Sequence, residues 1–130
     1  MSPRVCKLVF WAIAAFYAYG ALVHLTNMAG FSGFDWRTAP LKWQVLDIAY
    51  LGLDLVVVAG LVLGRRFGFI AFYASAASQI RLYTLLRAWI LDVPEAFARS
   101  PDEIAYLDLL VGFHIVTLGL VTAVLRLRTG

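Results

Sequence analysis

The sequence predicts an all-α fold: an integral membrane four-helix transmembrane bundle with both termini on the cytoplasmic side. Three observations carry this expectation. The 130 residues are 62% hydrophobic and only 15% charged, with a mean hydropathy of +0.82, where soluble domains average roughly 45–50% apolar and about 25% charged. Four separate stretches reach the roughly 20 apolar residues that a helix needs to cross hydrocarbon. The basic residues gather at alternate ends of those stretches, as topology signals do. Together the stretches fill most of the chain, so a single transmembrane domain over residues 1–130 is expected.

The first span, residues 8–28, follows Arg4 and Lys7 and could pass for a secretory signal. Its apolar run is long and aromatic, with Trp11, Phe16, Tyr17 and Tyr19, and Ala18-Tyr19-Gly20 is a poor cleavage site, so the span is expected to be retained. The second span, residues 43–63, can open at Pro40 and closes at Gly64, a residue suited to a left-handed helix cap. Gly64-Arg65-Arg66 then turns tightly into the third span, residues 67–89, making an antiparallel hairpin. Residues 93–99 suggest a short interfacial helix. Ser100-Pro101-Asp102-Glu103 is a capping box with proline at the first helical position, and it starts the fourth span, residues 104–125. The loop 30–42, with Phe31, Phe34 and Trp36, reads as an interfacial flap that either covers a cavity or anchors among headgroups.

Four spans put both termini and the Arg65-Arg66 turn on one side. That side carries Arg4, Lys7, Arg65, Arg66, Arg126 and Arg128 and no acid, whereas the opposite loops hold Arg37, Lys42, Arg87 and Arg99 among five acids. Counted by Lys and Arg, the termini are cytoplasmic. The net charge of +3 and pI near 9.3 therefore read as topology, and no nucleic-acid partner is expected; the lipid bilayer is. Low charge excludes disorder. One cysteine, Cys6, excludes a disulfide within the chain and leaves a spectator or an acylation site. No HExxH, GxSxG, Walker loop or CxxC occurs, so no catalytic residues and no metal ligands are assigned.

The informative residues are those that should not be in a membrane. An ionised side chain at a helix centre costs about 2.5–3.5 kcal/mol on insertion scales, yet the spans contain a polar cluster of His24, Asp47, Asp54, Arg81, Asp108 and His114. At about 1.5 Å of rise per residue, His24, Arg81, Asp47 and Asp108 converge on the outer third of the membrane, with Asp54 and His114 nearer the midplane. Asp47 and Asp54 share a helix face with Tyr50 and Leu51, and Arg81 rides on the small-residue face Ala74, Ala77, Ser78 and Thr84. The expectation is a buried Arg81 paired with Asp47, Asp54 or Asp108. Such a network either fixes helix register, lines a polar cavity for a headgroup, a quinone or a proton, or pairs with a partner subunit. Bis-histidine haem between His24 and His114 is disfavoured, because they stand about 24 Å and about 15 Å from the cytoplasmic edge.

The segment Leu53-Asp54-Leu55-Val56-Val57-Val58-Ala59-Gly60-Leu61-Val62-Leu63-Gly64-Arg65-Arg66 resembles the acid–apolar–glycine–arginine hairpin of DoxX-like proteins. Tyr19-Gly20-Ala21-Leu22-Val23-His24-Leu25 is similar to the glycine-containing end of their first helix. The resemblance implies a small multi-pass four-helix protein of the bacterial inner (plasma) membrane, some of whose relatives are linked to oxidoreductase complexes and quinone reduction. The function expected is an accessory subunit of a quinone-linked redox complex. The rival is a small proton-coupled transporter working as a homo-oligomer, with Asp54 as its protonation site.

Overall fold

The computed structural model describes residues 1–129 and is all-helical. Among these residues the α-helices are α1 (Pro3–Met28), α2 (Leu41–Leu63), α3 (Arg66–Tyr83), α4 (Arg87–Leu91) and α5 (Pro101–Thr129). Helices α1, α2 and α5 are each long and apolar enough to cross a membrane. Local sequence sets the ends. Ser2 caps α1, its Oγ accepting from the Val5 amide at 3.3 Å with Pro3 at the first position. That Ser-Pro pair carries the same signal as Ser100-Pro101, and it starts the helix five residues before the first apolar residue of the span. Gly64 adopts φ +62°, and the Arg65 amide reaches back to the Gly60 carbonyl at 2.9 Å, closing α2 in a Schellman turn. Ser100 Oγ accepts from the Glu103 amide at 3.2 Å, but the Glu103 carboxylate turns to Arg99 at 3.0 Å, so only half the capping box forms.

The long helices alternate in direction. His24 meets Asp47 while Gly20 meets Asp54, so α1 and α2 run antiparallel; the Gly64 turn makes α2 and α3 antiparallel; Gln79 meets His114 while Tyr73 meets Thr122, so α3 and α5 are as well. Each contributes a seam spaced three and four residues apart: Phe10, Ile13 and Tyr17 on α1, Asp54, Val57 and Leu61 on α2, Phe72, Ser75 and Ala76 on α3, His114, Thr117, Val121 and Val124 on α5. Gly60 and Gly68 fix the phase of α3 against α2. A Cβ on Gly60 would lie 2.0 Å from the Gly68 Cα, so the two backbones touch there.

The exterior is apolar, unlike that of a water-soluble protein, and several polar side chains are buried within the apolar core. The exposed surface includes Leu8, Ile70, Leu109 and Val116, each about two-thirds accessible at 66–70%, whereas Asp47, Asp54, Ser75, His114 and Thr117 are buried. The large apolar core occupies the end that holds the termini and the Gly64 turn. At the other end α5 stands off: none of its residues before His114 is buried.

Two expectations are corrected here. The third helix stops at Tyr83 and does not run to residue 89. Thr84 leaves helical geometry (φ −117°, ψ −78°), its hydroxyl donates to the Ile80 carbonyl at 2.6 Å, and the Leu86 amide closes a widened turn on the Arg81 carbonyl at 3.1 Å. Arg87 Nε then donates to the Tyr83 carbonyl at 2.8 Å, capping the shortened helix from α4. Residues 93–99 form only a single 3-10 turn, Glu95–Phe97, in place of an interfacial helix.

Candidate functional site

The site sits at the loop end of the bundle, between α1 and α2. Asp47 faces α1 because the α2 seam runs Asp47, Tyr50, Asp54. Its Oδ1 accepts from His24 Nδ1 at 2.7 Å and from Asn27 Nδ2 at 3.1 Å, and its Oδ2 accepts from Trp36 Nε1 at 3.0 Å. His24 and Asn27 are three apart on α1 and so share a face. Trp36 comes from the loop, which reverses at Gly30 (φ +82°) and Gly33 (φ +87°) before a 3-10 turn at Trp36–Thr38. One carboxylate thus ties α1, α2 and the flap together.

His24 also reaches deeper. Its Nε2 lies 3.7 Å from Asp54 Oδ2, and its ring stacks on Tyr50 with centroids 6.1 Å apart. Tyr50 in turn bonds Ser78 of α3, oxygen to oxygen at 2.8 Å. The Asp54 side chain is 4% exposed, and its Oδ1 has no hydrogen-bond partner among the described residues. Gly20 makes room for it, since a Cβ there would stand 2.9 Å from Asp54 Oδ2.

Above this cluster lies a cavity of about 550 Å³. It exists because α3 ends at Tyr83 while α5 continues past it, leaving α4 as a side wall. His24, Asp47 and Tyr50 form its floor, Leu82, Tyr83, Leu107 and Leu110 its apolar sides, and Phe34 and Arg99 its rim. The rim is aromatic: Phe34 and Phe97 pack edge-on against Trp43, and the Arg99 guanidinium sits 4.5 Å from the Trp43 ring centroid. The flap therefore covers a cavity, although Phe31 at its tip remains 83% exposed.

The six residues singled out in the sequence do not form one cluster. His24, Asp47 and Asp54 come together. His114 belongs to a separate buried chain: its Nε2 pairs with Gln79 Oε1 at 3.0 Å, its Nδ1 faces the Tyr17 hydroxyl at 3.5 Å, and Gln79 Nε2 donates to Ser75 Oγ at 3.0 Å. Both His114 ring nitrogens are therefore engaged, and His24 Nδ1 is held by Asp47. Arg81 is a correction. It is exposed and makes no ion pair among the described residues. Of the stripe, Ala74, Ala77, Arg81 and Thr84 form the outward face of α3, and only Ser78, at its edge, reaches Tyr50 of α2; the inward face runs through Phe72, Ser75, Ala76 and Leu82. Arg81 lies in the last turn of α3, where the helix dipole favours a cation and a long side chain can reach the interface. Asp108 is also outside the cluster, exposed on α5 and hydrogen-bonded by Arg87.

Asn27, Trp36 and Gln79 are the partners that reasoning from the sequence missed. Asn27 was legible from its spacing to His24; Trp36 and Gln79 depend on tertiary contacts. Cys6 is buried at 4% exposure against α1's neighbours, which withholds it from acylation in the folded chain.

No family model, curated protein or solved structure matches this chain. The site must be read from its own geometry.

Proposed function

We propose that the chain is a four-span integral membrane protein of DoxX-like kind in a bacterial inner membrane, with its termini cytoplasmic. Its outer-end cavity receives the polar head of an amphiphile carried in the bilayer. On this reading α3 is the fourth crossing. Its 18 residues span roughly 27 Å at ~1.5 Å per residue, close to the ~30 Å hydrocarbon thickness. Its polar Ser75 and Gln79 turn inward, leaving Phe67 and Ile70 outside. The chain serves as an accessory subunit beside other membrane subunits of a redox assembly, and the amphiphile is a quinone.

The observation that carries this reading is the cavity: apolar and aromatic walls over a hydrogen-bonding floor, the pattern expected of a site for a small amphiphilic ligand. The second hydrogen of the Asn27 amide is the donor for a carbonyl seated on the floor beside the His24 ring, and the apolar tail leaves along Leu107 and Leu110. The test is titration of protein in nanodiscs with decylubiquinone, read by tryptophan quenching, since Trp43 lines the cavity. Saturable quenching is expected, with affinity roughly tenfold weaker, ~1.4 kcal/mol, for Leu110→Phe, which fills the wall. Linear quenching equal to free partition into the nanodisc would overturn the assignment.

A further inference from the structure

We propose that His24 and Asp54 jointly hold one exchangeable proton at the cavity floor, with Asp47 as a positioning residue that fixes the imidazole. The donor inventory leads there. Asn and Trp nitrogens only donate, so Asp47, which accepts from Asn27, Trp36 and His24, serves as an acceptor at both oxygens, as an ionised carboxylate does. His24 Nδ1 therefore carries a hydrogen. The other ring nitrogen, Nε2, looks at Asp54 Oδ2 across 3.7 Å. With no proton between them, a lone pair would face a carboxylate in a low-dielectric layer. One proton resolves this, on Nε2 as imidazolium or on Asp54 as carboxylic acid.

No fixed cation takes the proton's place. The other titratable groups that feel the Asp54 charge are Tyr17 on α1, Tyr50 on α2 and Tyr83 on α3, all phenols, and α5 adds Asp102, Glu103 and Tyr106 to the cavity lining, none of them a cation. Arg81 faces outward, Arg87 serves Asp108, and Arg99 stays at the rim. Asp54 Oδ1 has no partner among the described residues, so no donor there offsets the burial of a charged carboxylate. Access is one-sided: the His24 side chain is 20% exposed and lines the cavity, whereas Asp54 behind it is 4% exposed. The imidazole is thus the route between cavity and carboxyl. A ligand head whose acceptor oxygen lies beside the exposed edge of the imidazole favours the imidazolium electrostatically and so draws the proton forward. That coupling rests on the amphiphile reading; the proton site does not.

Infrared difference spectra between acid and alkaline buffer, with nitrogen NMR of the histidines, test the site in nanodiscs without ligand. A carboxylic C=O band that disappears in Asp54→Asn, titrating together with the His24 resonances, is expected. Asp47→Asn should keep the proton event but shift His24 toward the other tautomer, a change that mere packing would not produce. His24→Gln should leave the C=O band and remove its coupling. A band that survives Asp54→Asn, or independent titration of His24 and Asp54, overturns the proposal. If Asp54→Asn does not fold, Gly20→Ala, which presses on the same carboxyl, must move both signals or the proposal fails. Decylubiquinone should weaken the Asp54 C=O band on binding to wild type, as the shared proton moves to His24, with no net proton uptake from solution. Binding that leaves the band unchanged overturns the coupling and spares the amphiphile reading. A coupled infrared event without decylubiquinone binding supports the proton site and removes the quinone.

Discussion

Replacing Gly60 with alanine drives a methyl group into the backbone of α3. The added Cβ would stand 2.0 Å from the Gly68 Cα and 2.4 Å from its nitrogen, where real Cβ contacts seldom fall below 3.4 Å. Backbone atoms cannot rotate aside, so α2 and α3 must separate by about 1.4 Å, the difference between those distances. Overpacking of this kind costs about 1–3 kcal/mol, occasionally more, and membrane helices depend on close approach for their packing energy. The control lies on the same helix: Gly52 has nothing within 4 Å of its Cβ position, so Gly52→Ala should be neutral or gain up to ~1 kcal/mol from helix propensity. The two substitutions should therefore differ by roughly 1–4 kcal/mol. Reversible unfolding in mixed micelles, followed by helical circular dichroism, measures the difference. A Gly60→Ala protein as stable as Gly52→Ala would refute the backbone contact and, with it, the phase of α3 that turns Arg81 outward.

Further expectations concern the site and its surroundings. Asp47→Ala removes the acceptor for three nitrogens, and hydrogen bonds to charged groups are worth about 1.5–3 kcal/mol each, so the flap should detach. Limited proteolysis within residues 29–40 should quicken at least several-fold, and an unchanged rate would count against the Trp36 tether. Arg81→Gln should leave the unfolding midpoint where it is, since the guanidinium has no partner; a marked drop would restore it to a buried network. Cys6 should react with a bulky maleimide only after unfolding, and rapid labelling of the native protein would contradict its burial.

The parts of this fold that were legible in the sequence are those set by local chemistry. Gly64, Ser100-Pro101 and the apolar run lengths place helix ends within a few residues, and rise per residue sets His24 and Asp47 at one height. The failures share a cause. Ala74, Ala77 and Ser78 look like a packing stripe, yet Phe72, Ser75 and Ala76 form another offset by two residues, about 200° around the helix, and small residues alone do not choose between them. Gly68 does choose, because Gly60, Gly64 and Gly68 lie four apart across the turn, and the close approach of Gly60 to Gly68 fixes the rotation. The stop after Tyr83 has no such marker: Thr84-Leu85-Leu86 contains neither glycine nor proline, and its widened turn is held by Arg87 from outside the helix. Asp108 was consequently assigned to the interior, whereas the α4 that carries its partner Arg87 exists only because α3 ends early.

That early end also governs how the cavity can change. Its volume comes from a missing stretch of helix rather than from small side chains along the walls. Trimming Leu107 or Leu110 would enlarge it by a methylene or two, in proportion to the atoms removed. Restoring one turn to α3 would fill it in a single step and displace α4 from the side wall. The room in this cavity is written in chain length, so an insertion near Thr84 would close it while leaving every residue that lines it in place.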